Sequence, residues 1–148
     1  MDSAINIEAW NNFVLRSQPS DYHVGTIERA AAIANLYMGV ANNGGINSFL
    51  TFNNDLDATE VSEALILVGA MEAAKQFNHV LQGLKVPIPA SSQDARWKLL
   101  ERHWTTSLDA HDVLSADANE DLLRALRLHV EANNEFYLTL KPSRESSR

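Results

Sequence analysis

The chain has 148 residues, of which 45% are apolar and 21% are charged, a length and composition typical of one globular domain. It contains no cysteine, which excludes a disulfide framework, a thiol nucleophile and a thiolate zinc site. The balance of 12 basic against 19 acidic residues gives a net charge of −7. This sign argues against direct binding to nucleic acid or to an anionic membrane.

The two ends of the chain carry few structural signals. The first six residues have no basic segment followed by an apolar block, and no apolar run approaches the roughly 18 residues that span a bilayer. We therefore expect a cytoplasmic protein that does not bind membranes. Residues 141–148 hold three bases, one acid and no apolar side chain beyond Pro142. This composition predicts a disordered tail there and a single helical domain over residues 1–140.

Apolar residues recur at three- and four-residue intervals along most of the chain, which predicts an all-α fold. A first helix carries an apolar stripe over residues 7–14. A second helix begins at an N-cap on Thr26 and runs to about residue 41. The Asn-Asn-Gly-Gly run at residues 42–45 supplies the left-handed conformations that end it. A short helical segment at residues 46–52 follows.

The apolar spacing in the second half of the chain predicts three further long helices. The first spans residues 57–81, and Asp57 or Thr59 is expected at its start. The next is N-capped by Ser91 and extends to Leu108. A junction is expected at residues 116–119, and a last helix over residues 122–137 ends before a proline. The prediction is a compact single-domain bundle of five long helices and one short helix.

The polar residues show no pattern of a known enzyme or metal site. His103 and His111 lie eight positions apart, and the sequence has neither His-Glu-x-x-His nor two histidines four residues apart. Phosphate-binding, dinucleotide-binding and Gly-x-Ser-x-Gly motifs are absent too. The run Asp109-Ala110-His111-Asp112 could bind a hard cation or act as an acid–base pair, but a solvated helix face is the simpler interpretation. We predict no metal, no cofactor and no enzymatic activity.

The most unusual local feature is the run Asn43-Gly44-Gly45-Ile46-Asn47-Ser48-Phe49-Leu50. Two glycines between helical segments imply backbone angles that a side chain forbids, or a close approach of another segment. In one interpretation, the run is a packing turn with a phenylalanine in the core and asparagines capping backbone groups. In the other, it is a recognition loop formed by Asn42, Asn43, Asn47 and Asn53. The residues assigned to the motif are Asn43, Gly44, Gly45, Phe49 and Asn53.

This run, followed by an Asn-Asn turn and by a Gly-Ala step at residues 69–70, resembles a bacterial family of DNA-mimic-related proteins with an Asn-Gly-Gly-aromatic signature. Ile46 stands where the family usually has an aromatic residue. The resemblance spans residues 37–137. It implies an all-helical, often dimeric domain. In at least one member, an acidic surface shaped like duplex DNA occupies the DNA-binding face of a repressor-type regulator.

Acidic residues are concentrated in two stretches that contain no base. A domain of this length is about 40 Å across, and duplex DNA of that length carries about 20 negative charges. Residues 1–140 have a net charge of only −9, so mimicry requires the acids to gather on one face or two subunits to align such faces. Helix N-termini also favour acids without any partner. The predicted partner-binding acids are Asp55, Asp57, Glu60 and Glu63 in the first stretch and Asp109, Asp112, Asp117, Glu120 and Asp121 in the second.

The sequence therefore predicts a non-enzymatic protein-interaction domain. Its partner is a protein and, in the mimicry hypothesis, a DNA-binding regulator; a homodimer agrees with the family resemblance. One alternative is an immunity- or adaptor-type protein that docks through an apolar groove. The other is an enzyme in which His103, His111 and Asp109 converge on a pocket.

Overall fold

The computed structural model of the chain describes residues 5–140. Within this part every regular element is helical, which confirms the predicted all-α fold. Two 3-10 turns, Pro19–Asp21 and Thr106–His111, connect longer elements. The tail predicted for residues 141–148 lies outside the described residues. The α-helices are α1 (Ile7–Arg16), α2 (Ile27–Phe52), α3 (Ala58–Leu67), α4 (Met71–Leu84), α5 (Gln93–His103), α6 (Ala116–Ala132) and α7 (Asn134–Leu138).

Polar side chains fix where the helices begin. The Thr26 hydroxyl and the Asp57 carboxylate each accept a backbone N–H from the first turn of their helix, at 3.2 and 2.7 Å. Both N-caps agree with the prediction. Helix α5 begins one residue later than predicted, at a Ser92 N-cap. Ser115 caps α6, so the junction predicted at residues 116–119 is instead the first turn of that helix.

Three predicted helices end earlier than the sequence pattern indicates. Gly69, with φ of +90°, separates α3 from α4, so residues 57–81 form two helices. The helix predicted to reach Leu108 ends at His103, and Leu108 lies in the second 3-10 turn. Asn133 divides the last predicted helix into α6 and α7. The prediction that the Asn-Asn-Gly-Gly run at residues 42–45 ends the second helix is wrong, because this run bends the helix without ending it, and the second and short helices form one element, α2. Two divisions and one merger therefore turn the predicted six helices into seven α-helices across the described residues.

Helix α2 lies at the centre of the fold and packs against α3, α5 and α6. Its Tyr37 is fully buried and contacts Phe49 and Phe77 edge to face, with ring centroids 5.0 and 5.3 Å apart. Among the described residues the Tyr37 hydroxyl has no hydrogen-bond partner, and burial raises the pKa of Tyr37. The centre of the core thus depends on aromatic packing between α2 and α4.

A buried arginine ties the end of α2 to the segments around α3 and α5. Arg96 on α5 is only 1% exposed. Its guanidinium donates to four backbone carbonyl groups, which belong to Leu50 at 2.6 Å, Leu56 at 2.8 Å, Pro89 at 2.8 Å and Asn54 at 3.2 Å. These acceptors lie in α2, in the turn before α3 and in the segment before α5. One side chain therefore fixes three parts of the chain relative to each other.

Arg96→Lys should lower the free energy of unfolding by about 2–4 kcal/mol. An ammonium group cannot reach four carbonyls in three segments, so buried acceptors lose their donors. Urea unfolding measures the loss. Arg102→Lys, at an exposed position of the same helix, is the control and should change stability by less than about 0.5 kcal/mol. Equal losses in the two variants would contradict this role of Arg96.

The packing of α1, α6 and α7 encloses a titratable side chain. His129 on α6 is 9% exposed, and its Nε2 lies 2.7 Å from the hydroxyl oxygen of Tyr137. Phe13 of α1 contacts both rings edge to face. Burial lowers the pKa of His129 below its ordinary value of 6.5, and Glu28 acts weakly in the opposite direction. The folded protein therefore favours neutral His129.

The stability of the fold should fall as the pH drops through 6.5, the ordinary pKa of histidine. Below this pH the unfolded chain binds a proton on His129 that the folded chain resists, and the loss continues down to the folded-state pKa. His129→Gln removes this titration, so its stability should change less between neutral pH and about pH 5.5. Thermal unfolding at several pH values measures both proteins. Identical pH dependence would show that His129 does not contribute.

Candidate partner-binding surface

The Asn-Gly-Gly run forms a bend inside α2. The helix continues through Gly44 and changes direction at Gly45, where φ is +92°. After the bend, the backbone N–H of Ile46 donates to the carbonyl oxygen of Asp112 at 2.7 Å. The N–H of Asn47 donates to the Asp112 carboxylate, also at 2.7 Å. Asp112 therefore caps the N-terminus of the second part of α2, where a negative charge is favourable.

Two constraints require glycine at position 45. Its positive φ is rarely adopted by other residues, and a Cβ atom there would lie 2.5 Å from a carboxylate oxygen of Asp112. The backbone must therefore approach Asp112 without any side chain between them. This geometry supports the packing interpretation of the run.

The other motif residues divide between the core and the surface. Phe49 is buried in the aromatic core, and the Asn53 side chain donates to its carbonyl oxygen at 3.2 Å, at the end of α2. Asn43 and Gly44 are exposed on the outside of the bend. The Asn42 amide donates to the side chain of α6 residue Asn119 at 2.7 Å. A recognition role is left to the exposed asparagines alone and stays a prediction.

Gly45→Ala should destabilise the protein by about 2 kcal/mol or more, because it adds backbone strain and a clash with Asp112. Gly39→Ala is a matched control in the same helix, since a Cβ there meets no atom within 4 Å. It should leave stability unchanged or raise it by up to about 1 kcal/mol. Chemical unfolding of both variants provides the test. A Gly45→Ala protein as stable as Gly39→Ala would refute the required close approach.

Acids of the first stretch interact with two arginines, Arg29 and Arg96. Glu60 accepts two hydrogen bonds from Arg29, with Nε–Oε2 and Nη2–Oε1 distances of 2.5 and 3.0 Å. This pairing is the main cause of the raised pKa of Arg29. Asp57, besides capping α3, joins Asp55 in favouring the charged form of Arg96, whose pKa burial lowers. These acids therefore stabilise cations of the fold.

The second acidic stretch also holds neighbouring elements. Asp121 is 5% exposed, pairs with Arg124 and accepts the backbone N–H of Glu72 at 2.9 Å. Because Glu72 lies in the first turn of α4, Asp121 stabilises that helix start. Asp109 is exposed and accepts the indole N–H of Trp104 at 2.8 Å. The two stretches meet at the start of α4, where Asp121 contacts Glu72.

Four of the nine predicted acids are exposed and are not held by direct side-chain contacts with the described residues, although Asp55 also acts through its charge on Arg29 and Arg96. Within residues 5–140 they form neither a hydrogen bond nor an ion pair through their side chains. Two belong to each stretch. They are Asp55 before α3, Glu63 on α3, and Asp117 and Glu120 on α6.

The residues of the enzyme alternative do not form one hydrogen-bonded group in the described part of the chain. Asp109 contacts Trp104, and the ring of His111 packs against His79 with centroids 4.3 Å apart. Gln76 holds this loop by donating to the carbonyl oxygens of His111 and Val113, at 3.1 and 2.7 Å. No three His, Asp or Glu side chains among residues 5–140 are placed to hold a metal ion.

The family model described as DMP19-like protein matches residues 25–139. The chain belongs to the DMP19-like protein family. This is a family of DNA mimics, and the matched span includes the α2 bend and both acidic stretches. No curated protein and no solved structure is similar enough to the chain to count as a match. No helix in the described part of this DMP19-like protein is both long and apolar enough to cross a bilayer.

Sequence reasoning missed Arg96, although a signal was present. Arg96 and Leu100 are four positions apart and therefore share a helix face. An arginine on the apolar face of a predicted helix indicates a buried cation that needs several acceptors. The acceptors themselves belong to distant segments, which the helical pattern does not identify.

The sequence pattern also gave no sign of a small cleft beside the α2 bend. One of its lining residues, Trp97, is 50% exposed. The cleft lies between α5 and the second part of α2 and has a volume of about 200 Å³. We call it the tryptophan cleft, and it is lined by Asn47, Thr51, Trp97, Leu100, Glu101 and Trp104.

Proposed function

We propose that this DMP19-like protein is a non-enzymatic interaction domain that acts as a DNA mimic. Exposed carboxylates would occupy the DNA-binding surface of a DNA-binding protein such as a transcriptional regulator. The observation that carries this proposal is the family match over residues 25–139, a span that contains all nine predicted acids. The proposal places the protein in the cytoplasm, where such regulators bind DNA.

The exposed acids supply the charge that a mimic needs. Glu63, Asp117 and Glu120 are free to pair with basic side chains of a partner, because the fold does not use them in hydrogen bonds or ion pairs within residues 5–140. Asp55 is exposed as well, but its charge already acts on Arg29 and Arg96. Exposed carboxylates that attract a basic surface increase both association rate and affinity at low salt. Their effect should therefore depend strongly on ionic strength.

The total charge favours a dimeric mimic. A net charge of −7 is well below the roughly 20 charges on a DNA duplex as long as the domain. Two copies with aligned acidic faces would double the negative charge presented to one partner. We therefore include a homodimer in the proposal, in agreement with the family resemblance.

Charge reversal at two exposed acids tests the proposal. Glu63→Lys combined with Glu120→Lys should weaken binding to a regulator captured from the native host by about tenfold or more at low salt. The melting temperature should stay within a few degrees, because both side chains are exposed. Affinity is measured at several salt concentrations and in competition with duplex DNA. Weakening by salt and displacement by DNA are expected.

A matched control separates the position of the charges from their number. Glu8→Lys combined with Glu135→Lys changes the net charge equally at exposed positions outside both acidic stretches. This variant should weaken binding by less than about threefold. Equal effects of the two double variants, or binding that neither salt nor DNA alters, would contradict mimicry. Glu60 is unsuitable for this test, because its reversal would also break the pairing with Arg29.

One observation favours the alternative of docking through an apolar surface. Ile66, Leu67 and Met71 at the corner between α3 and α4 are 46%, 52% and 55% exposed. Leu67 also lines a small cleft with Val24 at the start of α2. Docking on these side chains would depend little on salt. It would be weakened by Leu67→Ser combined with Met71→Ser and not by reversal of Glu63 and Glu120.

A further inference from the structure

Two tryptophans and one glutamate are among the residues that line the tryptophan cleft. Trp97, Glu101 and Trp104 follow at positions i, i+4 and i+7 of the α5 segment, so they share one side of it. Asn47 and Thr51, one turn apart on α2, form the opposite wall. The cleft is therefore bounded by aromatic surface, a charged group and polar side chains.

The electrostatics of the cleft favour a cation. Of the described residues that line it, Glu101 is the charged one. The Trp104 indole donates to Asp109 at 2.8 Å, a hydrogen bond that holds the ring and adds a negative charge next to Trp104. Lys98, on the same helix, is paired with Asp94 at 3.1 Å. Tryptophan faces attract cations more strongly than other aromatic rings do, and a carboxylate adds charge-assisted hydrogen bonds.

The bend in α2 holds the polar wall of the cleft in place. The Asn47 backbone N–H is fixed by the Asp112 carboxylate at 2.7 Å, and the Thr51 hydroxyl donates to the Asn47 carbonyl oxygen at 2.9 Å. Trp97 opposite them leaves half of its surface in water, so the fold does not require all of this aromatic area. Exposed tryptophans beside a preformed polar wall are typical of residues that dominate binding energy at interfaces.

We propose that the tryptophan cleft receives a cationic side chain, arginine or lysine, of the partner protein. The cation would lie against the indole faces and pair with Glu101. The identity of the partner as a DNA-binding protein rests on the proposed function, whereas the preference for a cation rests on the cleft itself. The cleft would add a specific anchor to the diffuse attraction of the exposed acids.

A pair of small probes tests the cleft without the partner. N-acetyl-arginine amide is compared with N-acetyl-citrulline amide, its neutral isostere, by recording the indole N–H signals in nitrogen–proton NMR spectra. The arginine probe should shift the signals of Trp97 and Trp104 and leave that of Trp10 on α1 in place. The citrulline probe should have little effect. No shift at Trp97 and Trp104, or equal shifts with both probes, would overturn the proposal.

Two single variants locate the charge that binds the probe. Glu101→Gln should weaken the arginine probe by about threefold or more, because it removes the carboxylate from the cleft. Glu120→Gln removes the same charge from an exposed site on α6 and should have little effect at moderate salt. Equal weakening by both variants would mean that net charge, rather than the cleft, binds the probe.

The partner is then tested with Trp97→Leu and Glu101→Gln in the full chain. Each should weaken binding of the captured regulator by about fivefold or more without a change in melting temperature beyond a few degrees. Unchanged regulator binding in both variants would overturn the anchoring role. That result would leave the proposed mimicry intact if reversal of Glu63 and Glu120 still weakened binding. Failure of that reversal instead would reject mimicry but not the cation preference of the cleft.

Discussion

The buried guanidinium of Arg96 sets the main constraint on this fold. A buried cation is unfavourable unless hydrogen bonds and nearby charges offset its desolvation. Here four carbonyl groups accept its hydrogen bonds, and Asp55 and Asp57 favour its charged form. One acceptor, Leu50, lies near the C-terminal end of α2, where the helix dipole is negative. The position of α5, and with it the tryptophan cleft, therefore depends on the end of α2.

The acidic residues of the chain fall into two groups, those that the fold uses in internal contacts and those that it leaves exposed. Glu60 neutralises Arg29, Asp112 caps the second part of α2, and Asp121 caps α4. Removing such a carboxylate would leave a partly buried donor or cation without its partner, at a cost of about 1–3 kcal/mol. Net charge alone therefore overestimates the surface available for mimicry. The surface available for mimicry consists of exposed acids such as Glu63, Asp117 and Glu120, whose loss we expect the fold to tolerate.

The sequence predicted what depends on local pattern and missed what depends on distant contacts. The cap at Thr26 follows from residue type and position and was confirmed, and the structure selects Asp57 over Thr59 as the cap of α3. The break at Gly69 was missed because apolar residues on both sides pack on the same core, so the periodicity continues across it. The role of Gly45 depends on Asp112, and the hydrogen bond from Asn47 that fixes this contact spans 65 positions. No spacing rule connects those residues.

Two acids of the second stretch, Asp109 and Asp112, position residues of the tryptophan cleft without lining it. Asp112 fixes the bend that places Asn47, and Asp109 orients Trp104, so two walls of the tryptophan cleft depend on carboxylates outside it. Substituting either residue would disturb the cleft even if no partner ever touched it. A loss of binding in such a variant would therefore report positioning rather than contact. Direct contact with a partner is better tested at Asp117 and Glu120. Both are exposed, and neither holds the α2 bend or the Trp104 indole, so their removal leaves the cleft unchanged.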